Sequence, residues 1–161
     1  MNTVFAYGSL ARLGGRPCTL RDHRCGWDVA MDNRETIPGY KVYVDPETGE
    51  RPAVYVAFLS IRPEPGAQVQ GVAFEVDDAG LAALDARERN YDRVDVTALV
   101  EPSLAGPVWA YVGSAAGRAR CAAGRADGTA VVTEEYFARV PPGAEPLDLP
   151  VVPLLRRDVG A

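Results

Sequence analysis

Short apolar or alternating segments, each stopped by turn-forming residues, run along most of this chain and restrict it to a strand-rich fold. The strongest is AVYVAFLSI at Ala53–Ile61, which is nearly all apolar and predicts a strand in the middle of a sheet. A Pro/Gly segment separates it from the alternating run Gln68–Val76, so these two strands are expected to pair as a hairpin. The other predicted strands are Thr3–Tyr7, Gly26–Asp32, Tyr40–Asp45, Arg93–Val100 and Pro107–Gly113.

The carboxyl-terminal part of the chain carries weaker patterns. A short helix is predicted over Glu134–Val140, capped by Thr133 and ended by Pro141 and Pro142. The segment Ser114–Thr129 is rich in Ala, Gly and Arg, and its pattern leaves its structure open.

Many short strands with turns between them, together with one or two helices, predict an α+β fold. We expect a small, closed or partly closed β-barrel with helices packed against it. Residues 1–140 are predicted to form one domain. Residues 141–161 are expected to be an irregular, proline-containing tail that packs on the same domain.

Composition excludes several classes of partner. The 161-residue chain has a net charge of −5 and a pI near 4.9, whereas a nucleic-acid partner requires a basic face. The amino terminus lacks a signal-peptide pattern and the longest apolar segment is too short to span a bilayer, so no membrane partner is predicted. The three cysteines, Cys18, Cys25 and Cys121, are an odd set that favours a reducing environment, and we expect a cytoplasmic protein.

Two familiar reactive arrangements are not supported by the spacing of the residues. Cys18, His23 and Cys25 match no zinc pattern and have no evident fourth ligand, so no metal site is predicted. Ser9 and the only histidine, His23, lack the G-x-S-x-G elbow of a hydrolase triad. We interpret the nearby arginines as a solvated face; they are Arg12, Arg16, Arg21 and Arg24.

One carboxylate falls on the apolar stripe of a predicted helix. The helix is expected to begin at Asp77 or Asp78, which can cap its first N–H groups, and to include LDARERNY at 84–91. Helical spacing places Glu88 on the same face as Leu81 and Leu84. A charged group there is costly unless it is paired or its pKa is raised for proton transfer. An ion pair with Arg93 or another arginine, or a rotated helix, is the structural alternative.

A glycine turn follows the first strand. Tyr7-Gly8-Ser9-Leu10 comes directly after apolar residues, and Gly8 permits a sharp change of direction. If a helical turn begins at Leu10, the N–H groups of residues 8–10 point outward together and can bind an anion or an oxyanion. The alternative is an ordinary turn without a ligand.

Taken in order, these motifs resemble a known family. VFAYGSL near the amino terminus, then QVQGVAFEV, then a helix ending LDARERNYDRV are similar to the gamma-glutamylcyclotransferase-like proteins. The resemblance covers roughly residues 3–113 and extends more weakly to about 140. It implies a small mixed or antiparallel β-barrel with packed helices.

The resemblance also implies roles for individual residues. Glu88 matches the catalytic glutamate, and the turn at 7–10 matches the loop whose backbone holds the gamma-glutamyl group. Leu10 stands where many members have Asn. The substrate-binding residues implied in this way are Tyr7, Gly8, Ser9, Leu10, Tyr91, Tyr111 and Tyr136.

The implied reaction is intramolecular: the alpha-amine of a gamma-glutamyl compound attacks the side-chain carbonyl, giving 5-oxoproline and a free amine or amino acid. It requires no cofactor and no metal, and the expected partner is a small gamma-glutamyl substrate. Three alternatives stay open. They are a tailoring enzyme that removes a gamma-glutamyl protecting group in biosynthesis, a non-catalytic small-ligand-binding module of the same fold, and an amide hydrolase that releases glutamate.

Overall fold

The computed structural model describes residues 1–141 and 143–161. Within them, three helices and ten strands are present. The helices are α1 (Asp78–Arg87), α2 (Ala115–Asp127) and α3 (Glu134–Arg139), and single 3₁₀ turns cover Ser9–Leu13 and Thr97–Leu99. The strands are β1 (Asn2–Ala6), β2 (Arg16–Asp32), β3 (Lys41–Val44), β4 (Tyr55–Val76), β5 (Tyr91–Asp95), β6 (Val100–Glu101), β7 (Val108–Gly113), β8 (Ala130–Thr133), β9 (Val151–Val152) and β10 (Leu155–Asp158).

The main sheet contains eight strands and curls into a half-barrel, so the predicted α+β fold with a partly closed barrel is confirmed. Its order is β5-β7-β1-β4-β2-β6, and β8 also pairs with β4 and carries β9 beside it. The β1–β7, β4–β8 and β8–β9 pairs are parallel, and the other pairs are antiparallel. A separate two-stranded ribbon joins β3 to β10.

The predicted hairpin between Ala53–Ile61 and Gln68–Val76 is wrong, because residues 55–61 and 68–76 belong to the single strand β4. The Pro/Gly segment between them produces a bulge against β2 instead of a reversal. There Asp22 of β2 has a positive φ of 57° and accepts a hydrogen bond from the Gly66 N–H at 3.0 Å. Strand β2 is also longer than predicted, since it begins at Arg16.

Helix α1 begins as predicted but ends earlier. The Asp77 side chain accepts from the Gly80 N–H at 2.7 Å and caps the helix. Leu81 is buried on the core side, whereas Glu88 is the residue that closes the last turn. Tyr91, predicted at the helix end, begins strand β5. The apolar stripe of α1 therefore stops before Glu88, and the chain bends there.

Capping residues explain the two later helices. Ser114 accepts from the Gly117 N–H and begins α2 in the segment whose pattern was ambiguous, and Gly128 ends α2 with a left-handed φ of 74°. Thr133 accepts from the Tyr136 N–H at 3.2 Å, so the predicted cap of α3 is confirmed. The prediction that Pro142 helps to end α3 lies outside the described residues.

The carboxyl-terminal segment is more ordered than expected. It supplies β9 beside β8 and β10 beside β3, and Leu154 between them is buried. The predicted strand Arg93–Val100 is likewise corrected, because β5 ends at Asp95 and a 3₁₀ turn precedes β6. No helix within the described residues is long and apolar enough to cross a membrane.

Candidate active site

A cavity lies where the sheet has a gap. Along one edge of β4, β1 pairs only with Val72–Val76 and β8 pairs only with Tyr55 and Val56. Among the residues that the structure describes, no strand therefore pairs with β4 at Leu59 on that side. The cavity there encloses about 340 Å³ of empty space, part of it open to solvent. All eight site residues expected from the sequence line it, namely Tyr7, Gly8, Ser9, Leu10, Glu88, Tyr91, Tyr111 and Tyr136.

Two tyrosines occupy the gap in the sheet. The Tyr91 hydroxyl donates to the Leu59 carbonyl at 2.6 Å, and the Leu59 N–H donates to the Tyr136 hydroxyl oxygen at 3.2 Å. Burial raises the pKa of both tyrosines, so both hydroxyls stay protonated. Because Tyr136 accepts from Leu59, its own proton is available to a ligand in the cavity.

Two further tyrosines of the cavity are Tyr7, directly after β1, and Tyr111, on β7. The buried Tyr7 donates its hydroxyl to the Tyr111 carbonyl at 2.5 Å. The Tyr111 hydroxyl donates to Asp85 at 2.8 Å, so it is already used outside the cavity. Tyr111 nevertheless lines the wall of the cavity. Its hydroxyl is not a free donor.

The loop after β1 contributes backbone to the cavity wall. The first hydrogen bond of its 3₁₀ turn runs from the Ala11 N–H to the Gly8 carbonyl at 3.0 Å. The N–H groups of Ser9 and Leu10 precede that bond and have no acceptor within the turn. A β-carbon at Gly8 would lie 3.5 Å from the Tyr136 hydroxyl oxygen, so glycine leaves this side of the cavity unfilled.

Glu88 is held at the end of α1, where its backbone N–H donates to the Leu84 carbonyl at 2.9 Å. Its side chain is 15% exposed. Burial raises the pKa of this carboxyl, and the nearby Arg87 and Lys41 cations oppose the shift only partly. Arg93, the expected alternative partner, binds Asp85 at 2.8 Å instead. The arrangement favours a carboxyl group that can both accept and return a proton.

A groove beside the cavity contains a cation that sequence reasoning missed. Glu88, Ser9, Tyr91 and Tyr136 line both spaces, and the groove adds Lys41 among other residues. The Lys41 Nζ lies 4.4 Å from the centre of the Phe58 ring. Burial, together with the nearby Arg156 cation, lowers its pKa to about 8. A signal was available, since Lys41 is the only lysine among the 17 lysine and arginine residues of the chain.

The other reactive side chains lie elsewhere. His23, on β2, contacts the Arg21 carbonyl through Nδ1 at 2.9 Å and does not line the cavity with Ser9. Among residues 1–141 and 143–161, no group of three or more His, Cys, Asp or Glu side chains is arranged to hold a metal ion. Arg21 and Arg24 form half-exposed ion pairs with Glu101 and Glu64.

Fold and site together define a small α+β protein in which one sheltered carboxyl group shares a cavity with a glycine turn. The model of the family described as gamma-glutamyl cyclotransferase, AIG2-like, matches residues 4–134. The chain belongs to this family. The match includes every expected site residue except Tyr136, which lies just beyond it.

Two solved structures are similar at low sequence identity. One is titled gamma-glutamyl cyclotransferase, with 17% identity and a TM-score of 0.46; the other is an uncharacterized protein from Homo sapiens, with 19% identity and a TM-score of 0.45. Each alignment covers 70% of this chain and 66% of the other, so the chain spans just under two thirds of their length. No curated protein matches the sequence significantly.

Proposed function

We propose that this protein is a gamma-glutamyl cyclotransferase that converts a gamma-glutamyl compound into 5-oxoproline and a free amine or amino acid. Membership of the family supports the reaction class. The observation that carries the proposal is the position of Glu88, whose sheltered carboxyl group lines the same cavity as the glycine turn at residues 7–10.

In the proposed reaction, the ionised Glu88 takes one proton from the alpha-ammonium group of the substrate. The resulting amine attacks the side-chain carbonyl, forming a new C–N bond and a five-membered ring. As the original amide C–N bond breaks, Glu88 returns that proton to the departing nitrogen. The ring nitrogen still carries two hydrogens after the attack, and it loses the second one through Glu88 to the released amine, which departs as an ammonium ion. Protons and bonds balance without a second reactant. A carboxyl group whose pKa is raised by burial suits both proton transfers.

The remaining residues would orient the substrate. The N–H groups of Ser9 and Leu10, which have no acceptor within their turn, would bind the developing oxyanion, and the Tyr136 hydroxyl would donate to the glutamyl moiety. Both reacting groups belong to one molecule, so holding the reactive conformer can lower the barrier by about 7–11 kcal/mol. One proton-transferring side chain in a shaped cavity is therefore enough chemistry for the reaction.

The test is release of 5-oxoproline, measured by mass spectrometry, from a panel of gamma-glutamyl compounds. Glu88→Gln keeps the shape of the side chain but cannot carry a proton, and we expect it to lower kcat by about 100-fold or more. Glu75→Gln is the matched control, because Glu75 is exposed on β4 and does not line the cavity. Equal activity of wild type and Glu88→Gln would overturn the role of Glu88.

The same assay separates the alternative functions by their products. Free glutamate in place of 5-oxoproline would identify an amide hydrolase. Calorimetric binding of a gamma-glutamyl compound without turnover would identify a binding module. Turnover confined to substrates with large, elaborated leaving groups would favour a tailoring enzyme in biosynthesis.

A further inference from the structure

The groove next to Glu88 concentrates positive charge in an acidic protein. The chain as a whole has a net charge of −5. An adjoining space shares Lys41, Arg87 and Arg156 with the groove, and the described residues that line it include five cationic side chains and one carboxylate, that of Glu135. The cations are Arg12, Lys41, Arg87, Arg139 and Arg156. A local excess of one charge in a concave site favours a ligand of the opposite charge.

Two of these cations are brought together by the ribbon of β3 and β10. Tyr43 lies opposite Arg156 and Lys41 lies opposite Asp158, so these four side chains share one face of the ribbon. Strand β10 comes from the segment beyond residue 134, where the match to the family ends. The groove therefore includes a wall that the family model does not cover.

Within the described residues, Lys41 contacts aromatic rings but no carboxylate at ion-pair distance, and Arg156 uses only part of its guanidinium group. Among the ion pairs of the described residues, none involves Lys41, and only Arg87 lies within ion-pair distance of Glu88. Arg156 binds Asp158 through Nε at 2.7 Å, which leaves its terminal N–H groups available. The lowered pKa of Lys41 reflects burial and the neighbouring Arg156, a cost that a bound anion would relieve.

The position of the groove indicates which part of a substrate would reach it. The glutamyl moiety would occupy the smaller cavity, beside the loop at residues 7–10. Glu88 lines both spaces. Because Glu88 would return a proton to the departing amine, that amine would extend from Glu88 into the groove.

We propose that Lys41 and Arg156 form an anion-binding subsite that selects leaving amines carrying a carboxylate. The subsite makes gamma-glutamyl amino acids and peptides better substrates than gamma-glutamyl derivatives of neutral or cationic amines. This inference rests on the proposed cyclotransferase function. Lys41 and Arg156 are specificity residues in it, and Glu88 keeps the proton transfer.

The experiment compares two substrates that differ only by the carboxylate, gamma-glutamylalanine and gamma-glutamylethylamine. The readout is the ratio of their kcat/KM values, because effects of a substitution on Glu88 itself apply to both substrates and cancel. We expect wild type to prefer gamma-glutamylalanine by about tenfold or more, the strength of one or two charge-assisted hydrogen bonds.

The variants are Lys41→Met and Arg156→Gln, with Arg157→Gln as the matched control. Arg157 is the next residue on β10, is exposed, and lies on the opposite face of the ribbon. The ratio should fall about tenfold in Lys41→Met and about threefold or more in the half-exposed Arg156→Gln, and stay unchanged in Arg157→Gln. If Lys41→Met does not fold, Arg156→Gln decides alone.

The outcomes separate the inference from the function on which it rests. No 5-oxoproline from any gamma-glutamyl compound of the panel overturns the proposed function and the subsite with it, whereas 5-oxoproline only from compounds other than these two overturns the subsite alone. Turnover of both substrates at equal kcat/KM, or a ratio unaffected by Lys41→Met and Arg156→Gln, overturns the subsite and leaves the cyclotransferase function standing.

Discussion

The Glu88 carboxylate lies 3.8 Å from the Arg87 guanidinium, but the two side chains of this ion pair differ strongly in exposure. Glu88 is 15% exposed and Arg87 is 57% exposed. Water screens the cation, so the pair is weak, whereas the carboxyl group bears most of the cost of burial. For this reason the pKa of Glu88 is raised even with a cation beside it.

Arg87→Gln should raise the pKa of Glu88 further, because a positive charge that favours the ionised carboxylate is removed. The acidic limb of the pH profile of kcat/KM, which reports groups of the free enzyme, should move to higher pH by roughly 0.2–0.7 units, the worth of an exposed ion pair. The measurement is the profile of 5-oxoproline release. Arg118→Gln, on the exposed surface of α2, should leave the limb in place, and a move to lower pH in Arg87→Gln would contradict the prediction.

Glu88→Gln should change the pH dependence of stability. The folded-state pKa of Glu88 is raised above its ordinary value of 4.5, so the folded protein binds this proton more tightly than the unfolded chain. The contribution of Glu88 therefore lowers the stability of wild type as pH rises from that value through the raised pKa, and Glu88→Gln removes this contribution.

Urea denaturation at several pH values measures the free energy of unfolding of both proteins. The advantage of Glu88→Gln over wild type should grow as the pH rises above 4.5, the ordinary pKa of this carboxyl group. The exposed Glu75→Gln should show no such trend. An advantage that is constant, or that shrinks with rising pH, would show that burial does not raise this pKa.

Two parts of the candidate site have local signals in the sequence, whereas Tyr111 and Tyr136 were expected only from the family resemblance. A carboxylate on an apolar stripe and a glycine turn after an apolar strand are visible in short windows, and both Glu88 and Gly8 line the cavity. The exact end of α1 was not predictable. The helical spacing of apolar residues continues through Tyr91 in the sequence, but in the structure the helix ends at Arg87 and Glu88 caps it.

The features that sequence reasoning missed depend on distant parts of the chain. Gly66 was interpreted as part of a turn, but its pairing with Asp22 on β2 converts the turn into a bulge within β4. Lys41 lies in the groove because β10, from the far end of the chain, pairs with β3. No local sequence pattern predicts the pairing of β2 with β4 or of β3 with β10. The presence of a single lysine in the chain was the one indication that Lys41 has a special position.

Thr133 should contribute to stability through the cap that positions Tyr136. Its side chain is buried and accepts from the Tyr136 N–H at 3.2 Å. Thr133→Val keeps the volume and removes the acceptor, so the free energy of unfolding should fall by about 1 kcal/mol. Thr133→Ser keeps the hydroxyl and is the control for the cap. Denaturation of the three proteins is the measurement, and a loss in Thr133→Ser as large as in Thr133→Val would assign the effect to packing instead.

Lys41 should give the preference for carboxylate-bearing substrates an alkaline limit. Its pKa is lowered to about 8 by burial, with Arg156 and Arg87 acting in the same direction and Glu88 and Asp158 opposing them. Lys41 therefore loses its charge as pH rises through that value, and the ratio of kcat/KM for gamma-glutamylalanine to gamma-glutamylethylamine should fall there. Titration of Glu88, and of the alpha-ammonium group that both substrates carry, cancels in the ratio.

Lys41→Arg separates the charge of this residue from its packing. A guanidinium remains protonated throughout this range, so the ratio for the variant should stay level up to about pH 9.5 while that of wild type falls by about threefold or more. Kinetics with both substrates at matched ionic strength provide the measurement, because salt weakens exposed charge interactions such as that of Arg156. A wild-type ratio that stays level across the same range would mean that the charge of Lys41 does not contribute to selecting the leaving amine.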